Sequence, residues 1–125
     1  MLMVIVKEED MLKSKVGYSN NISAFDTGVE AANMVSDELN PKVALVFNST
    51  GYNQTKLLDG IKSILPDTNI VGCTSSMGII TPDGYMTDDT GSVGIMALDD
   101  EDMMVATFGM AKKKSARETG REVAI

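Results

Sequence analysis

The sequence predicts an α/β fold, a mixed β-sheet holding a parallel βαβ unit and an antiparallel hairpin, with helices packed on the sheet. Three observations carry this. Val43-Ala-Leu-Val-Phe47 is a continuous apolar run of strand length, reading as a strand buried on both faces. Leu57, Leu58, Ile61, Ile64 and Leu65 then recur at helical spacing before Pro66-Asp67, and Asn69–Cys73 returns to strand character. A strand, a helix and a strand of that length form a crossover unit, so the two strands should run parallel with a right-handed connection.

Before that unit, Leu2–Val6 reads as a strand or edge segment, Lys7–Lys15 gives no clear pattern, and Val16–Ser19 is a short strand. Ser23 is placed to cap a helix, with Asp26 three residues on. Phe25, Val29, Ala32, Val35 and Leu39 form its apolar face, and Asn40-Pro41 ends it. After the unit, Thr81-Pro-Asp-Gly84 is a turn sequence and Tyr85–Gly91 reads as a polar loop. Ser92–Leu98 and Met103–Ala111 flank Asp99–Asp102, which predicts a hairpin. Ser115-Ala-Arg-Glu118 is a capping box opening a last, short helix. The chain reads as a single domain over 1–125, with 1–15 an uncertain strand or extension. The short final helix, lacking a terminator, suggests a C-terminal partner domain beyond it.

Composition excludes several function classes. Eleven basic against eighteen acidic residues give a net charge of −7, unsuited to nucleic acid or anionic membranes. The longest early apolar run is too short for a signal peptide or a membrane span. One cysteine rules out an internal disulfide and makes an intracellular, cytoplasmic location the default. With no histidine, neither a Ser-His nor a Cys-His pair exists, and the usual zinc and haem ligand sets are missing. No cofactor, metal or catalytic residue is expected.

The stretch Asn69-Ile-Val-Gly-Cys-Thr-Ser-Ser-Met-Gly-Ile-Ile80 is the most informative for binding. A strand running into small polar residues sets backbone N–H groups and hydroxyls at the C-terminal rim of a sheet, where open α/β sheets take ligands. Gly72–Gly78 is suited to cradle a carboxylate or phosphate, although it is neither a dinucleotide fingerprint nor a P-loop. The loop Asn48-Ser-Thr-Gly-Tyr-Asn53 follows the neighbouring strand, so the two meet if the strands are adjacent. The candidate ligand residues are therefore Asn48, Ser49, Thr50, Asn53, Cys73, Thr74, Ser75 and Ser76, with Ser19 joining the rim from another strand. The competing readings are close packing at a corner, helix capping by Asn53, and a buried structural thiol at Cys73. The acidic groups Asp88-Asp89 and Asp99–Asp102 lack calcium-loop order and read as solvated loops. Met96, Met103, Met104 and Met110 read as adaptable apolar surface that would dock a partner domain or promote self-association.

Taken in order, these pieces resemble the N-terminal domain of the FIST family (F-box and intracellular signal transduction proteins). The resemblance runs from Val16-Gly-Tyr-Ser19 and Val29-Glu-Ala-Ala32 through Val43–Phe47, Leu57-Leu-Asp-Gly-Ile61 and Ile64-Leu-Pro66. It continues over Ile70–Gly78 to Val93–Leu98. It implies a cytoplasmic sensory domain binding a small polar metabolite such as an amino acid, coupled to a C-terminal FIST domain or a signalling output domain. The family's motif carries an acidic residue where this chain has Ile79. Besides this non-catalytic sensor, the alternative is a protein–protein interaction or assembly module without a ligand, pairing through its hairpin and final helix. A hydrolase or transferase acting through Cys73 or Ser75 lacks a base.

Overall fold

The computed structural model describes residues 11–87, 89–103, 105 and 115–124. The elements are β1 (Lys13–Ser19), α1 (Ala24–Ser36), β2 (Val43–Ser49), α2 (Gln54–Ile64), β3 (Asn69–Ser75), β4 (Ile79–Thr81), β5 (Gly84–Met86), β6 (Val93–Asp99) and α3 (Ala116–Val123). The main sheet has the order β1-β6-β2-β3. β2 and β3 are parallel, Val43 facing Asn69 and Ser49 facing Ser75, while β6 lies antiparallel to both β1 and β2. The strands β1, β2 and β3 therefore share one direction, and their C-terminal ends form one rim together with the start of β6.

Local chemistry explains the helices. Ser23 accepts from the Asp26 N–H and Asn53 from the Lys56 N–H, so both long helices begin where the side chains predict. The capping box of α3 is present, with Ser115 and Glu118 satisfying one another's backbone. The face α1 buries is Thr27, Gly28, Ala31, Ala32 and Val35, whereas Phe25, expected on that face, is exposed. Close helix contact is the reason. A Cβ at Gly28 would lie 2.4 Å from the Leu57 carbonyl oxygen, and one at Gly60 would lie 2.2 Å from that of Phe25. The two helices meet backbone to backbone through small residues, which turns the bulky Phe25 outward.

The core lies between these helices and one face of the sheet, built from Ala31, Val35, Val46, Leu57, Ile61, Val93, Ile95 and Ala97 among others. The other face has no helix on it among the described residues. Val43–Phe47 is consequently not buried on both faces: Phe47 is 45 % exposed, and Val71 (44 %), Met96 (41 %) and Val16 (39 %) share its side. The register sets Val16 and Leu45 on either side of Met96, and Val71 beyond Leu45, in one apolar row.

Two further expectations move. The antiparallel hairpin is β4–β5, closed by Pro82-Asp83, so Tyr85 and Met86 are strand rather than loop. β6 is flanked on both edges by β1 and β2, which leaves no free edge for Met103–Ala111 as its hairpin partner. That run, apart from Met103 and Val105, and the segment Leu2–Val6 lie outside the described residues.

Candidate functional site

The rim is held together by a polar network beneath it. The Ser49 N–H donates to the Ser92 carbonyl at 2.8 Å, the Ser92 N–H donates to Ser49 Oγ at 2.9 Å, and the two hydroxyls lie 3.2 Å apart. Tyr52, buried, donates its phenol to the Asn21 carbonyl at 2.7 Å. Thr27 Oγ1 reaches the Ser23 carbonyl at 2.7 Å, also within the buried layer. Such groups rarely stay buried without partners, and satisfying them fixes the loops above.

On this floor sits a polar pocket of about 220 Å³, lined by Ser49, Thr50, Gly51, Ser76, Met77, Thr87, Asp89 and Gly91. Three chain segments converge there: the loop after β2, the turn after β3 and the loop leading to β6. The Thr50 N–H donates to the Ser75 carbonyl at 3.2 Å, which ties the first two together. The side chains of Thr50, Ser76 and Asp89 are exposed and hold no hydrogen bond to a described residue. Two hydroxyls and one carboxylate thus belong to the pocket lining with no hydrogen-bond partner among the described residues.

The other candidate residues are placed elsewhere. Asn48 is buried on the helix side, donating to Gln54 Oε1 at 2.6 Å and to the Ser49 carbonyl at 3.0 Å. Asn53 caps α2. Ser75 donates to the Gly78 carbonyl at 2.7 Å. Ser19 donates to Glu30 at 2.5 Å and Asn21 adds a second bond at 2.9 Å, which together hold the Glu30 carboxyl below its ordinary range. Cys73 is exposed, not the buried thiol expected, because β3 is an edge strand. The cradle expected over Gly72–Gly78 is also shorter, since Gly72–Ser75 continues β3 and the turn begins at Ser76. Thr87, Asp89 and Gly91 line the pocket from outside the candidate set, Asp89 having read as part of a solvated acidic loop. Their loop is brought to the rim by the antiparallel β6, whose insertion between β1 and β2 has no local signature.

A larger, apolar cavity of about 470 Å³ lies between the open sheet face and the β4–β5 hairpin, bordered by Tyr18, Phe47, Ile79, Ile80 and Met96. Ile79 is buried, its Cδ1 close to Gly94. An apolar side chain is what that position needs. Tyr18 donates its phenol to Asp83 on the hairpin, and this bond, with burial and the Asp83 charge, pushes the phenol above its ordinary value.

The model of the FIST N domain matches residues 42–125, from the start of β2 through α3. The chain belongs to the FIST N family. Members of that family are generally sensory or signalling domains. No curated protein matches this FIST N domain at a significant level. Among solved structures, a thiamine-monophosphate kinase from Stenotrophomonas maltophilia K279a is similar at 16 % identity and a TM-score of 0.47. The match covers 78 % of this chain and 34 % of the kinase. The FIST N domain thus spans about a third of that enzyme's length, and a likeness of this grade supports no inference. Among the described residues, no helix is long and apolar enough to cross a membrane.

Proposed function

We propose that this FIST N domain is a non-catalytic intracellular sensor that binds a small zwitterionic metabolite, an amino acid or a close relative, in the rim pocket. The observation that carries the reading is the convergence of unengaged Thr50, Ser76 and Asp89 at the C-terminal ends of two adjacent parallel strands. An ammonium group finds the Asp89 carboxylate, and a carboxylate finds the two hydroxyls. Asp89 supplies the acid that Ile79 does not. A volume of about 220 Å³ suits a small amino acid and is too tight for a nucleotide. The absence of histidine from the sequence supports a binding role over acyl-transfer chemistry.

A ligand in this pocket bridges the β2–α2 loop, the β3–β4 turn and the loop before β6. It therefore favours the arrangement in which these three are locked together, and passes that bias to an attached or partner domain. A thermal-shift panel of amino acids and related metabolites tests the reading. A ligand present at a hundred times its Kd stabilises by about 2.7 kcal/mol, a rise of roughly 10 °C for a domain of this size. Asp89→Asn is expected to abolish that rise while leaving the unliganded melting temperature unchanged. A panel without any shift removes the sensor reading and leaves the interaction module, which the exposed row of Val16, Met96 and Val71 favours.

A further inference from the structure

We propose that two copies of this chain join through the outer edge of β3, antiparallel about a two-fold axis at Gly72, fusing their two sheets into one. The Asn69 N–H donates to the Lys42 carbonyl at 3.1 Å, and the Ser75 carbonyl accepts from Thr50 at 3.2 Å. Alternate residues of a strand direct their backbone groups to opposite sides. Asn69, Val71, Cys73 and Ser75 are thus committed to β2, while Ile70, Gly72 and Thr74 aim their N–H and C=O groups outward, away from the sheet.

Among the described residues, the two edges of the sheet differ in how they are guarded. β1 carries Lys13 and Lys15, the kind of charge that keeps an edge strand from pairing. β3 carries no charge and no proline, and is exposed or half-buried along its whole length. Beside it runs a groove of about 250 Å³ toward α2, lined by Leu58, Ile70, Val71 and Thr74. An added strand gains main-chain bonds from such an edge and side-chain contacts from such a groove.

A second copy fits this edge in one register above others. A two-fold centred on a residue, not between two, brings outward groups opposite outward groups, and only one at Gly72, the middle residue of Asn69–Ser75, engages Ile70, Gly72 and Thr74 together. Ile70 then faces Thr74 of the other copy, Gly72 faces its own mate, and every outward N–H and C=O of the strand finds a partner. Val71 faces Cys73 of the other copy as a non-hydrogen-bonded pair, with Cβ atoms about 4.5–5.5 Å apart. The net charge of −7 lies outside the strand, so no like charges meet across this seam.

Sedimentation of the full 125-residue chain from micromolar to near-millimolar concentration tests this. The mass is expected to rise from 13.4 kDa toward twice that value. Thr74→Pro deletes one outward N–H without touching the β2 ladder, and should weaken association at least tenfold. Val71→Cys with added oxidant should give a covalent dimer through the native Cys73, lost again in Val71→Cys/Cys73→Ser. This cross-link decides the matter even if Thr74→Pro does not fold. A mass of 13.4 kDa throughout overturns the proposal. So does a dimer indifferent to Thr74→Pro that fails to cross-link, which would instead locate association on the open sheet face. Neither readout depends on a ligand, so the rim-pocket reading stands or falls separately.

Discussion

Gly72 shows how one residue carries the contact between parallel strands. A Cβ there would lie 1.7 Å from the Val46 carbonyl oxygen, a backbone atom that cannot step aside without breaking the ladder. Gly72→Ala is expected to destabilise the fold by several kcal/mol, read as a lower urea midpoint and well above the roughly 1 kcal/mol of a typical substitution. Two titrations are also set by single partners. The Tyr18 phenol is raised by its bond to Asp83, so this contact contributes its stability below the ordinary value of 10.0 and loses it as pH rises through the raised one. Phenolate absorbance should show Tyr18 ionising late, and Asp83→Asn should bring it down. Glu30 has the opposite sign. Its carboxyl is lowered by Ser19 and then Asn21, so their contribution is complete above the ordinary value of 4.5 and is lost as pH falls through the lowered one. Ser19→Ala should therefore flatten the acid side of the stability profile.

At the scale of elements, legibility followed how local the signal was. Caps at Ser23, Asn53 and Ser115 and the parallel pair β2–β3 depend on neighbouring residues or on one short crossover, and the sequence carried them plainly. The face of α1, the partners of β6 and the exposure of Cys73 depend on long-range packing. Close helix contact through Gly28 and Gly60 overrode the bulk-based expectation for Phe25. Insertion of β6 between β1 and β2 left it no edge for the following run. For the candidate site, Thr50 and Ser76 were legible because strand ends are predictable, whereas Asp89 reaches the rim only through the topology of β6. The caps also make a quantitative prediction. Asn53→Ala should cost about 1 kcal/mol in a denaturant midpoint with an unchanged slope, because only the orphan N–H groups of α2 lose a partner.

On the scale of the whole molecule, the sheet is two-sided in character. One face is closed by α1 and α2, and the other presents an apolar row and a cavity under the β4–β5 hairpin. The hairpin is tied down by Tyr18–Asp83 and by the Tyr85 phenol donating to the Met77 carbonyl at 2.7 Å, next to the rim pocket. On the proposed reading, a ligand at the rim alters how firmly the hairpin covers the open face, and that change is the signal passed on. The most direct test is an amide-resolved NMR titration of the chain with the amino acid that raises its melting temperature. Saturable shifts centred on Thr50, Gly51, Ser76, Met77, Asp89 and Gly91 are expected, abolished by Asp89→Asn. Shifts confined to Phe47, Ile80 and Met96 in the apolar cavity, with the rim unmoved, would contradict the rim-pocket reading.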